Sequence, residues 1–228
     1  MDNIPVDVKN NKSKSPSKTK KKRSVNSKQN RPKAILDLDN TIICSEAEED
    51  LDFDKNKLKV KKFDFDDMDG YYIVFHRPGL QKFLTYLFKN FDVAVWTAAS
   101  KDYALFIIEK IILNNKKNRK LDFILFSYHC DLSKKLKKGT KDLDMLWDNF
   151  KIEGYDQYNS VILDDYDEVQ DTNVGNCIPV KPFEFNEEGS ENDDFLEKLI
   201  PKLKIMRQAI VKNKKNKQRP VEYIKDLL

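Results

Sequence analysis

Residues 34–45 read AILDLDNTIICS, an apolar run that ends in two carboxylates, Asp37 and Asp39, one residue apart. Ala34-Ile35-Leu36 has the character of a buried strand, and residues i and i+2 of a strand project to the same side. Carboxylates held that close repel each other. A bound cation is the first candidate to offset the repulsion; the plainer alternative is a strand end running into an acidic turn. The chain repeats the device. SVILDD (160–165) is a second apolar run, closing on Asp164 and Asp165, and FDVAVWTAAS (91–100) a third, closing on small and hydroxylated residues that include Thr97. Lys141 stands ahead of a short helical pattern in TKDLDMLW (140–147). Four converging carboxylates need counter-charge. Mg2+ suits them, because it is usually held by one or two carboxylates together with phosphate and water. Thr97 adds a hydroxyl donor and Lys141 a fixed charge for a phosphoryl group. Together they describe a phosphate site with a nucleophilic carboxylate, and aspartate is an established covalent phosphoryl acceptor.

The elements between these residues must bring them together. Strands are expected at 33–39, 70–76 (GYYIVFH), 91–100, 123–127 and 160–165, with a short extended segment at 177–183. KLKVKKFDF alternates enough to suggest one more strand, part of a hairpin arm within the charged stretch 44–70. Helical spacing of Leu80, Phe83, Leu84, Leu87 and Phe88 follows Pro78, which suits a helix's first turn. YALFIIEKIIL reads as a helix that Ser100 or Asp102 can cap. A final amphipathic helix spans 193–211, with Pro201 placed to kink it. Apolar strands alternating with helices predict an α/β fold with a mostly parallel sheet. In such sheets ligands bind beyond the carboxyl ends of the strands, which is where Asp37, Asp39, Thr97, Asp164 and Asp165 fall.

The motifs then resemble a known family. DLDNTI looks like the first motif, D-x-D-x-[TV], of the haloacid-dehalogenase (HAD) superfamily. HRPGLQKFL, VAVWTAASKDYA, TKDLDML, VILDDYDEV and NCIPVKPF resemble, in order, successive motifs of its FCP/SCP branch, the phosphatases of the RNA polymerase II C-terminal domain. The closing DFLEKLIPKLK is similar to that branch's last helix, and the resemblance covers roughly residues 33–205. It implies a HAD-like Rossmannoid three-layer α/β sandwich with no large cap domain and a small β-hairpin insertion. It also implies a Mg2+-dependent phosphoserine/phosphothreonine protein phosphatase. Asp37 would be the nucleophile and Asp39 the general acid and base. Thr97 and Lys141 would bind the phosphoryl oxygens. Asp37, the main-chain carbonyl of Asp39, and Asp165 would hold Mg2+, with Asp164 hydrogen-bonded nearby and Thr41 fixing the loop after the nucleophile. An uncapped site suits a phosphorylated protein segment, such as the RNA polymerase II C-terminal domain, with residues 44–72 as an arm beside it. Three departures stand out. Asn40 replaces a frequent Glu, Tyr166 follows Asp165 in place of Ser-Pro, and SYHCDLSKKLKKG lacks an expected arginine or carries lysine instead. A nucleic-acid 3′-phosphatase and a non-catalytic phosphoprotein-binding module on the same fold are the alternatives.

Composition narrows the setting. The chain has 228 residues, with 42 basic and 38 acidic, so a single large domain with a full core is expected. Residues 1–33 hold eleven Lys/Arg against two Asp, about +9, leaving the remainder at about −5. The tail, 1–32, is expected to be disordered. Its run Lys18–Arg23 is a candidate for nuclear localisation or for nucleic acid, which would be reached only through this tail. The FCP homology domain is expected at 33–211 and a basic C-terminal extension at 212–228. No stretch approaches the ~20 apolar residues of a membrane span, and no signal peptide is expected. The cysteines, Cys44, Cys130 and Cys177, form no C-x-x-C pair. Their number is odd, so a disulfide framework is not expected and a reducing, intracellular location, nucleus or cytoplasm, is; His76 and His129 are not spaced like a metal pair.

Overall fold

The computed structural model describes residues 31–50, 58–213 and 217–228. The basic run Lys18–Arg23 lies outside the described residues. Five strands form one sheet: β1 (Lys33–Leu36), β5 (Asp92–Trp96), β6 (Leu121–Leu125), β7 (Ser160–Asp164) and β8 (Cys177–Pro179), in the spatial order β6-β5-β1-β7-β8. Every pairing in it is parallel. Among the described residues, the helices that flank this sheet include α1 (Leu80–Asn90), α2 (Lys101–Ile107), α3 (Ser127–Lys137), α4 (Asp167–Thr172) and α5 (Phe195–Lys212). Alternate residues of the strands go to opposite faces. Ala34, Leu36, Val93, Val95, Val161 and Leu163 meet the buried sides of α1, α2 and α5. Ile35, Ala94, Trp96 and Ile162 meet Leu143, Met145, Leu146 and Val169 on the other face. The result is the expected three-layer α/β sandwich.

The order places β1 at the centre, where the chain switches from one side of the sheet to the other. That switch point opens a crevice at the carboxyl ends of the strands. Register fixes what lies there. Leu36 pairs with Val95 on one side and Leu163 on the other. Asp37, Thr97 and Asp164 therefore leave the sheet within one residue of a common level.

Three local expectations are corrected. The segment KLKVKKFDF is not one strand: residues 58–60 are helical and the strand β3 (Phe65–Met68) begins later. The insertion is more than a hairpin, since β2 (Ile43–Ala47), β3 and β4 (Tyr72–His76) form a separate antiparallel sheet in the order β2-β4-β3. Its own core includes Phe63, Phe75 and Phe185, the last two stacked at 3.9 Å. Pro78 lies before α1 rather than in its first turn. Leu80 N donates to Arg77 O at 3.0 Å and Gly79 has φ +78°. Pro then Gly at the two central positions is the preference of a type II turn, which requires φ > 0 at the second. Pro201, by contrast, sits inside α5, which continues through it. Residues 217–228 return to the body, where Ile224 joins the main core and Val221 N bonds Gly175 O at 3.0 Å.

Candidate active site

Asp37, Asp39, Thr97, Lys141, Asp164 and Asp165 all line one cavity of about 350 Å³ at the carboxyl ends of the strands. Lys141 is its buried cation. Its Nζ donates to Asp37 Oδ1 at 2.5 Å and to Asp164 Oδ2 at 2.7 Å, with the lysine side chain only 4% exposed. Burial alone would lower the lysine's pKa. The two carboxylates outweigh it and hold the ammonium well above its ordinary value, so it stays charged. Thr41, set in the turn after the nucleophile candidate, brings its hydroxyl within 3.2 Å of Asp37 Oδ2 and 3.0 Å of Asp165 Oδ1. It ties two carboxylates that would otherwise repel.

The negative charge exceeds what Lys141 can balance. Carboxylate oxygens of Asp37, Asp164 and Asp165 lie within 4.8 Å of one another. Burial, reinforced by the charge of Asp37, pushes both Asp165 and Asp164 up, with Lys141 opposing the rise at Asp164. Asp39 is raised to about 6, by burial first and Asp37 second, while a hydrogen bond from Tyr103 pulls it back. A cation placed among them would favour their charged forms. The donor set is all oxygen, which fits a hard divalent ion. Asp164 has both oxygens engaged, one by Lys141 and the other by Tyr166 N at 3.0 Å. Asp37 likewise has Lys141 on Oδ1 and Thr41 on Oδ2, whereas at Asp165 only Oδ1 is engaged among the described residues, by Thr41, which leaves Oδ2 the freest donor.

Thr97 is held by its N–H, which donates to Leu125 O at 3.0 Å. Its Oγ1 accepts from Ala99 N at 3.1 Å, so its hydroxyl hydrogen has no acceptor among the described residues. It is free for a phosphoryl oxygen. Cys130 also lines the cavity, but burial pushes its thiol up and its Sγ donates to Thr97 O at 3.6 Å. It packs as a thiol and is a poor nucleophile.

The sequence of the chain matches the family described as NLI interacting factor-like phosphatase over residues 32–216. The chain belongs to the NLI interacting factor-like phosphatase family. Two relatives are named putative CTD phosphatase-like protein 355R. That of Invertebrate iridescent virus 6 is 49% identical over 72% of this chain and 93% of its own length. That of Invertebrate iridescent virus 3 is 43% identical over 72% of this chain and 91% of its length. Among solved structures the fold is similar to Fcp1, an essential RNA polymerase II CTD phosphatase, with TM-score 0.60 and 20% identity. That match covers 82% of this chain but only 65% of the other. The HAD-like fold is thereby shown. Among the described residues no helix is long and apolar enough to cross a membrane.

Within this family framework, three residues that sequence reasoning gave no role hold the site in shape. Tyr103, on α2, donates to Asp39 Oδ1 at 2.5 Å, with Ser45 Oγ against the same phenol oxygen. Asn173 is 4% exposed. Its Nδ2 donates to Lys141 O at 3.1 Å and its Oδ1 accepts from Leu143 N at 2.9 Å. It thus clamps Lys141, whose φ of +49° is sparsely populated by L residues and costs on the order of 1 kcal/mol or more. Arg77, 1% exposed, binds Asp193 through two bonds of 2.9 Å and donates to Thr41 O at 2.9 Å. It anchors the turn that carries Asp39 and Thr41. Asn40, in that turn, has φ +55°, a conformation Asn tolerates better than Glu. Tyr103 and Arg77 stand inside quoted motifs, so position flagged them. Nothing local flagged Asn173, 32 residues from the backbone it holds.

Proposed function

We propose that the protein is a Mg2+-dependent phosphoserine/phosphothreonine protein phosphatase working through an aspartyl-phosphate. The observation that carries the reading is the surplus of carboxylates over Lys141 in one cavity that also holds the free hydroxyl of Thr97. Asp37, Asp165 and the carbonyl of Asp39 would hold the ion, which supplies charge neutralisation for the transferring phosphoryl group. The chain's own residues do the rest. A carboxylate oxygen of Asp37 bonds to phosphorus as the serine or threonine Oγ–P bond breaks, and the Asp39 proton passes to the leaving oxygen. Asp39, now a carboxylate, takes a proton from water. The water oxygen attacks the phosphorus, inorganic phosphate leaves, and the Asp37 carboxylate returns. Thr97 and the Lys141 ammonium donate to the phosphoryl oxygens throughout. Asp164 and Thr41 position Lys141 and Asp37.

The open cavity favours a phosphoprotein segment, and the names of the relatives make an RNA polymerase II C-terminal-domain-like sequence the first to try. A role in regulating transcription in the nucleus would follow. Residues 33–211 would form the phosphatase domain. Phosphate release from a phosphopeptide panel, a 3′-phosphorylated oligonucleotide and an aryl phosphate, each with Mg2+ and with EDTA, tests the proposal. Turnover of phosphopeptides only with Mg2+ supports it. Turnover of the oligonucleotide in preference to every peptide, or full activity in EDTA, contradicts it.

A further inference from the structure

The cavity wall has a second cation that the chemistry above does not use. Lys134, on α3, lines the same cavity as Lys141. The two lysines differ in commitment. Lys141 is buried and bound to Asp37 and Asp164. Lys134 is exposed, and its ammonium has no hydrogen bond or ion pair among the described residues. Its neighbour Lys137 is already paired with Asp148 at 2.7 Å. A charged group left unpaired on the wall of an acidic cavity is available to an incoming anion.

The phosphoryl group being transferred is not that anion's only candidate, since Lys141 and Thr97 already address it. We infer that Lys134 reads a second anionic group, a phosphoryl or a carboxylate, carried by the substrate close to the side chain being dephosphorylated. The inference rests on the phosphoprotein reading given above and specifies its substrates. Cavity size sets the spacing. A volume of about 350 Å³ has a linear dimension of roughly 7 Å, about two residues of extended chain at ~3.3 Å each. Asp131, one turn before Lys134, lines the cavity too and forms no ion pair with it within 4 Å. It works against any anion there; a phosphoryl dianion should still gain more from Lys134 than a single carboxylate, because it brings more charge and more acceptor oxygens to the ammonium. Lysine meets such a group as a point charge and sets no planar geometry.

Two sets of three peptides of one sequence, one set for each side, test this, each peptide with a single hydrolysable phosphoserine. Two residues from it, on either side in turn, stands alanine, glutamate or a non-hydrolysable phosphonate. The expected result is a kcat/KM for the phosphonate peptide about tenfold above the alanine peptide, carried mainly by KM, with glutamate between them. Lys134→Ala should bring the three within about twofold, while Lys134→Arg restores the order. Lys135→Ala, on the same helix but off the cavity wall, should keep it. Equal rates on the three peptides with the wild type, or an unchanged preference in Lys134→Ala, overturn the inference and leave the phosphatase reading standing. Hydrolysis of an aryl phosphate but of no phosphopeptide overturns both.

Discussion

Tyr103 donates its phenolic hydrogen to Oδ1 of Asp39 across 2.5 Å, joining α2 to the turn after β1. The contact aims the carboxyl group proposed as the general acid, and it holds down a pKa that burial raises, leaving it at about 6. Tyr103→Phe removes the donor, so Asp39 should keep its proton to higher pH. At saturating Mg2+ the alkaline limb of kcat/KM for a phosphopeptide should move up by roughly half to one pH unit. kcat should fall about tenfold from lost aim. Parallel pH profiles of the two proteins measure this; superimposed limbs would contradict it.

Asp39→Asn removes the proposed acid altogether. On phosphopeptides, whose alkoxide leaving group needs the proton, the rate should drop by roughly 10²–10⁴. An aryl phosphate leaves with little help and should lose far less. Equal losses on the two substrates would argue that Asp39 does not donate a proton.

Charge crowding makes a prediction about stability. In metal-free buffer Asp39, Asp164 and Asp165 all have raised folded-state pKa values. The folded chain thus binds more protons than the unfolded chain between about pH 4 and 7. Stability from these groups is complete below about pH 4 and is lost as pH rises through about 6. The melting temperature in EDTA should fall by several degrees between pH 5 and pH 7.5, and added Mg2+ should recover it in a concentration-dependent way. Asp165→Ala should shrink the Mg2+ gain yet melt no lower than the wild type in EDTA. Scanning fluorimetry decides the matter; a flat pH profile with no Mg2+ shift would leave the paired aspartates unexplained.

The basic tail should be dispensable for the chemistry. Arg31 still belongs to the body, where its side chain donates to Phe88 O at 2.9 Å and pairs with Asp92 at 3.2 Å. A chain beginning at Arg31 should therefore fold and keep its rate on a short phosphopeptide. A large loss would mean that residues 1–30 contribute to the site.

The sheet and its edge were legible because buried parallel strands are short apolar runs, and each ended in the residue that faces the crevice. Asp37, Thr97 and Asp164 needed only the strand register to be brought together. The insertion was read less well. Leu58 and Val60 alternate with lysines as a strand would, yet residues 58–60 are helical, and Val60 and Phe63 are buried in the small core beside Phe75, Phe183 and Phe185. Tertiary packing there overrides a local period. Asn173 could not have been found from its neighbourhood, since its function is to satisfy a strained backbone far away in sequence. Lys134 was visible only as one lysine among several. Its place on the cavity wall depends on the rotation of α3, which composition does not set.

The proposed reaction passes through a covalent bond between phosphorus and Asp37. Acid quenching of a single turnover with a ³²P-labelled phosphopeptide, in the presence of Mg2+, tests it most directly. The expected result is label bound to the protein, released by hydroxylamine as an acyl phosphate should be, mapped to the peptide containing Asp37, and missing together with turnover in Asp37→Asn. Rapid turnover by the Asp37→Asn protein, or label that maps elsewhere, would contradict it.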